Sequence, residues 1–236
     1  MNMSHIHDRA SALAPKPAVQ RRSQQTRDKL IAALDELLRD RDFERISVAE
    51  IAQRAGVSTA VIYQRFSNKD AAVSMLIALY IRRVEEWWDA VAGGALELTE
   101  AVSLRDAAVQ VGIAAWRQLD ELHYVMRPAY LQSRLPPPLL GQQWRAHEAR
   151  AVAGFRSWLM HHADELGTRD PSTAAGMVTY FFNMMFLGRL LHYDDLPSWD
   201  VPTTAEAFAE ELADFVCGYL GVPQTDGPSP SAGGQS

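Results

Sequence analysis

The residues with the most evident chemistry lie in one segment, SVAEIAQRAGVSTAVIYQRF, from Ser47 to Phe66. Its hydroxyl, amide, phenol and guanidinium groups are those that hydrogen-bond to phosphates and to the edges of bases. A small residue at Ala52, a glycine at Gly56 and apolar residues around them have the spacing of a helix-turn-helix. Such a motif can place the outer face of its second helix in a major groove.

Helix start and stop signals surround this segment. Ser47 followed by Glu50 three residues later is the pattern of a capping box, and Gly56 is typical of a helix end. A second short helix is predicted from Ser58 to about Phe66. A helix from about Thr26 to Asp40 comes before the motif, and a long helix follows it from Asn68 to about Val91. The motif therefore belongs to an N-terminal three-helix domain.

Helix patterns also dominate the rest of the chain, and no alternating run predicts a strand. Further helices are predicted over residues 103–122, 123–134, 139–166, 171–192 and 204–220, about nine in all. The predicted fold class is all-α, with a helix-turn-helix domain at 23–69 and a larger helical domain at 70–221. Residues 1–22 are predicted to form a flexible arm and residues 222–236, rich in Pro, Gly and Ser, a disordered tail.

Composition excludes several classes of protein. A chain of 236 residues, 47% of them hydrophobic, can build a sizeable core. One cysteine, Cys217, excludes a disulfide framework and a cysteine-based zinc module. Residues 1–25 lack the apolar run of a signal peptide. No nucleophile-elbow, P-loop or dinucleotide fingerprint is present, and the histidines lack the spacing of a helical metal pair, so we predict no enzyme, no cofactor and no metal site.

The net charge of −6 argues, taken alone, against a nucleic-acid partner, but the charge is unevenly distributed. Residues 1–20 carry a net charge of +1, residues 21–69 carry +3 and residues 70–236 carry −10. A mildly basic N-terminal segment followed by an acidic remainder of the chain is compatible with a small DNA-contacting domain. A chance fluctuation on solvated helix faces is the alternative.

The segment from Thr26 to about Ala72 resembles the N-terminal domain of TetR-family transcriptional regulators. The resemblance rests on AGVS at 55–58, IYQRF at 62–66 and NKD at 68–70. The family usually has Gly or Pro where Ala60 stands, and His where Arg65 stands. The resemblance implies a cytoplasmic homodimer that binds a pseudo-palindromic double-stranded DNA operator, most often as a repressor that a small-molecule effector releases.

The resemblance also implies roles for residues of the motif. Tyr63, Lys69 and Arg65 would contact phosphates, and Ser47 and Ser58 would add contacts at the helix starts. Four residues would lie on the exposed face of the second helix and reach base edges: Thr59, Ala60, Val61 and Gln64. Read without the resemblance, Ser47 and Ser58 are N-caps, and Tyr63 and Val61 are equally compatible with packing positions.

Residue roles in the larger domain rest on the sequence alone. Aromatic and methionine residues there predict a pocket for a largely apolar molecule: Trp116, Tyr124, Met126, Tyr130, Trp144, Phe155, Trp158, Phe181 and Met184. Each of them is also compatible with a simple core position. The same domain is compatible with an all-helical enzyme or an adaptor protein that uses this cavity.

Residues 171–192 are apolar nearly all round, which indicates burial on more than one face. Asn183 and Arg189 interrupt the run, so we predict no membrane span. We expect this helix and the last helix to form a four-helix seam with a second copy of the chain. The predicted dimer residues are Phe182, Met185, Phe208, Leu212, Phe215 and Tyr219. Two-fold symmetry would place the two reading helices about 34 Å apart, one turn of DNA.

Overall fold

The computed structural model describes residues 17–63, 68–92, 102–135, 141–167, 170–195 and 200–222. Over these residues the chain forms α-helices and one 3-10 helix, Phe43–Arg45, and no strand. The α-helices are α1 (Pro17–Leu38), α2 (Val48–Arg54), α3 (Thr59–Tyr63), α4 (Asn68–Ala92), α5 (Leu104–Ser133), α6 (Gly141–Met160), α7 (Pro171–Leu191) and α8 (Ala205–Leu220). The predicted all-α fold is confirmed.

Three helices differ in their bounds from the predicted ones. Helix α1 begins at Pro17 rather than Thr26, so residues 17–22 of the expected arm are helical. Residues 103–122 and 123–134 were predicted as two helices, but α5 runs on through Pro128, which reduces the predicted nine helices to eight over the described residues. A proline removes one backbone donor, and packing on both sides of it can hold the helix together. Helix α6 ends at Met160, and turns replace the predicted helix up to Leu166.

The chain divides into two compact units, and the first contains Met1–Arg82 and Pro128–Gly141. Its core forms where α1, α2 and the first part of α4 turn their apolar stripes inward. Leu34, Ile51, Leu76 and Leu79 are fully buried there. Apolar residues at helical spacing thus fix the position of α2, which is the first helix of the predicted motif.

The second unit contains Arg83–Arg127 and Gln142–Ser236. Helices α5 and α8 pack closely at Gly112, where a Cβ atom would lie 3.0 Å from the Cβ of Ala209. Helix α7 begins at Pro171, as predicted, with Asp170 as its N-cap, and Thr204 caps α8. The predicted tail, apart from Val222, lies outside the described residues. The functional domains at 23–69 and 70–221 stay predictions.

Candidate functional site

Helix α2 begins at the predicted capping box. The Ser47 side chain accepts a hydrogen bond from the backbone N–H of Glu50 at 3.2 Å, and the Glu50 carboxylate accepts one from the backbone N–H of Ser47 at 2.9 Å. Arg41 donates to the other carboxylate oxygen at 2.8 Å. Hydrogen bonds from Ser47 and Arg41 lower the pKa of Glu50 from 4.5 to about 2. The carboxylate therefore stays ionised and holds the start of α2.

The turn after α2 depends on the backbone of Gly56, whose φ is +66°. The backbone N–H of Val57 donates to the carbonyl of Ala52 at 3.0 Å, which closes the end of the helix. Ala52 is fully buried where α2 meets its neighbours. No atom lies within 4 Å of a Cβ placed at Gly56, so glycine is required for its conformation rather than for space. Ser58 then starts α3 by accepting from the N–H of Ala60 at 3.3 Å.

Helix α3 presents most of its short surface outward. Ile62 is buried, with 3% of its surface exposed, and holds the helix on the unit. Val61 is 39% exposed and Tyr63 is 46% exposed, so neither is a core residue of this chain. Ala60 is also exposed, and Thr59 is half-buried. Of the remaining predicted DNA contacts, Ser47 and Ser58 are exposed, whereas Gln64, Arg65 and the Lys69 side chain lie outside the described structure.

Ion pairs reduce the positive charge available in the first unit. Four arginines have carboxylate partners within 4 Å: Arg39 with Asp35, Arg41 with Glu50, Arg45 with Asp42, and Arg54 with Glu36. The exposed cations Arg21, Arg27 and Lys29 all lie on α1. Sequence reasoning missed this redistribution because two of the four pairs join residues that are distant along the chain. It also missed that Arg21 is held on a helix rather than on a flexible arm.

Six aromatic residues in the second unit form a continuous series of ring contacts, which we call the aromatic row. Its members, in order of contact, are Trp158, Phe155, Phe182, Phe186, Phe208 and Trp116, with ring centroids 4.5 to 5.9 Å apart. The row unites three predicted pocket residues with Phe182 and Phe208, which we had expected at a dimer seam. Both are half-buried and make ring contacts within their own chain. Phe186 was not predicted at all, and no pattern in the sequence separates it from its apolar neighbours.

The other predicted pocket residues differ in their burial and in the unit to which they belong. Trp144 is buried, and Tyr124 and Met126 are half-buried in the second unit. Tyr130 is half-buried but belongs to the first unit, so the structure does not group it with the aromatic row. Phe181 and Met184 are 38% and 42% exposed, which places them on the surface rather than in an interior pocket.

Five of the exposed apolar residues lie together on α7 and α8, on a surface that we call the α7/α8 face. It consists of Met177, Tyr180, Phe181 and Met184 on α7 and Phe215 on α8. Tyr180 and Phe215 are 57% and 56% exposed, and the rings of Phe181 and Phe215 are in edge contact at 6.2 Å. Of the other predicted dimer residues, Leu212 is buried against α5, and Met185 and Tyr219 are half-buried. On α7, the exposed Phe181 and Met184 therefore each lie one position before the residues predicted for the dimer, Phe182 and Met185.

The described residues give little sign of a membrane span or a metal site. Helix α7 is long and apolar enough to cross a membrane by composition, and only a third of that stretch is buried; this is weak evidence for a span. Within the part of the chain that the structure describes, no three metal-ligating side chains come together.

An all-helical chain with a capped helix-turn-helix and an exposed second helix belongs to the class of helix-turn-helix DNA-binding proteins. Residues 30–73 match the family model of bacterial regulatory proteins, tetR family. This segment therefore matches the DNA-binding domain of tetR-family regulatory proteins, as the sequence predicted, and the chain has the fold of solved TetR-family regulators. No curated protein matches the chain.

Solved structures of similar fold cover most of this chain. The fatty acid degradation regulator FadR from Bacillus halodurans is 17% identical, with a TM-score of 0.56 over 81% of this chain and 97% of that one. FadR from Bacillus subtilis, in complex with stearoyl-CoA, is 16% identical, with a TM-score of 0.57 over 80% and 96%. A TetR transcriptional regulator from Rhodococcus sp. RHA1 is 18% identical, with a TM-score of 0.52 over 82% and 97%. At these identities the likeness concerns the fold.

Proposed function

We propose that this regulator is a cytoplasmic homodimeric repressor, released from its operator by a small, largely apolar effector. The observation that carries the proposal is the exposed surface of α3, held on the unit by Ile62 and preceded by the Gly56 turn. Residues 23–69 would bind DNA, and residues 70–221 would bind the effector and a second copy of the chain. The order of these functions along the chain follows the family resemblance.

The proposed DNA contacts divide into positioning and reading groups. Tyr63, Lys69 and Arg65 contact phosphates, and Ser47 and Ser58 add hydroxyl contacts. Thr59, Ala60, Val61 and Gln64 contact base edges, where a methyl group packs on thymine and an amide pairs with adenine. Exposure of Ala60, Val61 and Tyr63 supports these roles. Arg21, Arg27 and Lys29 on α1 are additional candidates for phosphate contact because their side chains are exposed.

The proposed dimer uses the α7/α8 face. Five large apolar side chains exposed together on two adjacent helices are unusual for a monomer and typical of an interface. Two helices from each copy would form a four-helix seam around a two-fold axis. This revises the residues predicted from sequence: Met177, Tyr180, Phe181, Met184 and Phe215 replace Phe182, Phe208 and Leu212, while Met185 and Tyr219 lie at the edge of the seam.

The proposed effector contacts the aromatic row, with Tyr124, Met126 and Trp144 as further candidates. Aromatic and methionine side chains suit an apolar ligand. One protein of similar fold is described in complex with stearoyl-CoA, a ligand with a long apolar part, and this supports an apolar effector here. Effector binding must favour one of two conformations to change DNA affinity.

Fluorescence anisotropy tests the DNA contacts. Labelled DNA from beside the protein's own gene is titrated with wild type, Tyr63→Phe and Ser157→Ala, and scrambled DNA of equal length serves as a competitor. Tyr63→Phe removes one hydroxyl that would bond to a charged phosphate, so we expect affinity to fall about tenfold or more. Ser157→Ala removes an exposed hydroxyl of the second unit, on α6 and outside the α7/α8 face, and leaves affinity unchanged.

Salt provides the second measurement. Counterion release predicts that affinity falls linearly on logarithmic axes as salt rises, by several powers of ten between low and physiological concentrations. Equal affinity for the scrambled DNA, or equal loss in Tyr63→Phe and Ser157→Ala, contradicts the proposed interface.

A further inference from the structure

Arg189, near the end of α7, is a mostly buried cation without adequate pairing. Its side chain is 14% exposed, and its guanidinium carbon lies 3.2 Å from the centroid of the Trp116 ring. The nearest carboxylate oxygen described, on Asp120, is 4.0 Å away, and the Asp120 side chain is 45% exposed. Among the residues that the structure describes, the buried Nε–H of Arg189 has no acceptor. Burial lowers the pKa of Arg189 below the ordinary arginine value, which shows how poorly its charge is solvated.

The cation–π contact with the Trp116 ring offsets part of the cost of burying the Arg189 guanidinium, but it supplies no hydrogen-bond acceptor. A buried charge that lacks a close partner costs free energy, and an apolar side chain of similar volume is often equally or more stable there. Charge-assisted hydrogen bonds between arginine and carboxylate are about 2.7–2.9 Å long, well below the separation from Asp120. A buried donor without an acceptor in a native structure calls for an explanation, and an anionic ligand would supply the acceptor.

A second arginine in the same region shares one of these features. The Nε–H of Arg127 is buried and has no acceptor among the described residues, although the Arg127 side chain is 44% exposed and its Nη1 donates to a carboxylate oxygen of Asp194 at 3.4 Å. Trp116, Asp120 and Arg127 recur at helical spacing on one side of α5. Tyr193, which precedes Asp194, links the surroundings of Arg127 to those of Arg189, because its hydroxyl donates to Asp120 at 3.4 Å.

We propose that Arg189, assisted by Arg127, binds the anionic head group of the effector, and that the aromatic row holds the effector's apolar body. Trp116 lies under the Arg189 guanidinium and is also one end of the row, so charge and apolar surface meet at that residue. The effector class is therefore an amphipathic anion, such as a carboxylate or phosphate on an apolar molecule. This inference rests on the proposed effector function and specifies the ligand's charge.

Two dyes test the inference because they differ only in an anionic sulfonate group. The probes are 8-anilinonaphthalene-1-sulfonate and N-phenyl-1-naphthylamine, which is the same apolar skeleton without the sulfonate. Fluorescence titration measures the affinity of each dye for the full chain. We expect wild type to bind the sulfonate more tightly, Arg189→Met to weaken the sulfonate about 10- to 100-fold, and the neutral dye to change less than about twofold.

Arg117→Met is the matched control, since Arg117 follows Trp116 on α5 but is 62% exposed and pairs only loosely with Glu206 at 3.7 Å. It should leave both dyes unaffected, and Arg127→Met should weaken the sulfonate alone. Thermal denaturation adds a readout of structure: Arg189→Met should keep or raise the melting temperature. Equal weakening by Arg189→Met and Arg117→Met, no preference of wild type for the sulfonate, or a lower melting temperature of Arg189→Met overturns the inference. Operator binding is measured separately, so its failure would be recognised as failure of the proposed function.

Discussion

Replacing Phe215 with glutamate tests whether the α7/α8 face is the dimer seam. Phe215 is 56% exposed and meets Phe181 at the surface, so the substitution removes apolar area without opening the core. In a symmetric dimer each substitution occurs twice and places a carboxylate in the interface on both sides. The effect on association should therefore far exceed the effect on the folding of one chain.

The magnitude follows from the exposed fraction. Full burial of a large apolar side chain contributes about 1.5–3 kcal/mol, so burying the exposed half of Phe215 contributes about 1–1.5 kcal/mol in each copy. Two copies contribute about 2–3 kcal/mol, which corresponds to roughly a 30- to 150-fold change in the dimer Kd. Desolvation of the two new carboxylates adds to this loss.

Sedimentation equilibrium measures the dimer Kd of wild type and Phe215→Glu. Val152→Glu is the matched control, because Val152 is 40% exposed on α6 in the same unit but lies outside the α7/α8 face. We expect a loss of at least about 30-fold for Phe215→Glu and a change within about twofold for Val152→Glu. The reasoning is refuted if both variants dimerise as wild type does, or if both lose affinity equally.

Two further predictions concern stability. Gly112→Ala should lower the free energy of unfolding by about 1–3 kcal/mol, because its Cβ would lie 3.0 Å from that of Ala209. Gly188→Ala has open space around its Cβ and should raise the free energy of unfolding by up to about 1 kcal/mol. Urea denaturation measures both changes, and changes of the same sign would contradict this prediction. The pKa of Glu50 is lowered from 4.5 to about 2, so its contribution is fully present above about pH 4.5 and is lost as pH falls toward 2. The difference in melting temperature between wild type and Glu50→Gln should therefore shrink as the pH falls over that range. A difference that does not depend on pH would show that Ser47 does not stabilise the ionised form of Glu50.

Local chemistry made the DNA-binding motif predictable. The capping box of Ser47 and Glu50 and the glycine turn at Gly56 depend on residues within a few positions of one another, and both appear in the structure. The extent of α1 was less predictable because residues 17–25 lack the apolar periodicity that identifies a helix. The continuity of α5 through Pro128 depends on packing around the proline, which no local signal reports.

The faces of α7 were not predictable from its sequence. The helix is apolar on nearly every side, so the pattern does not distinguish Phe182, which packs on Phe155, from Phe181, which faces outward. Only the positions of the neighbouring helices decide this. The pairing of Arg189 with Trp116 likewise joins distant parts of the chain, and a charged residue in an apolar run was read from sequence only as an interruption.

Hydroxyl-radical footprinting on DNA from beside the protein's own gene tests the central claim most directly. A dimer that reads DNA through two α3 helices protects two patches about 34 Å, one helical turn, apart, at a stoichiometry of two chains per site. We expect both patches to appear together with wild type and to be lost together with Phe215→Glu at the same chain concentration. A single patch bound by one chain, or uniform protection without sequence preference, would contradict the account.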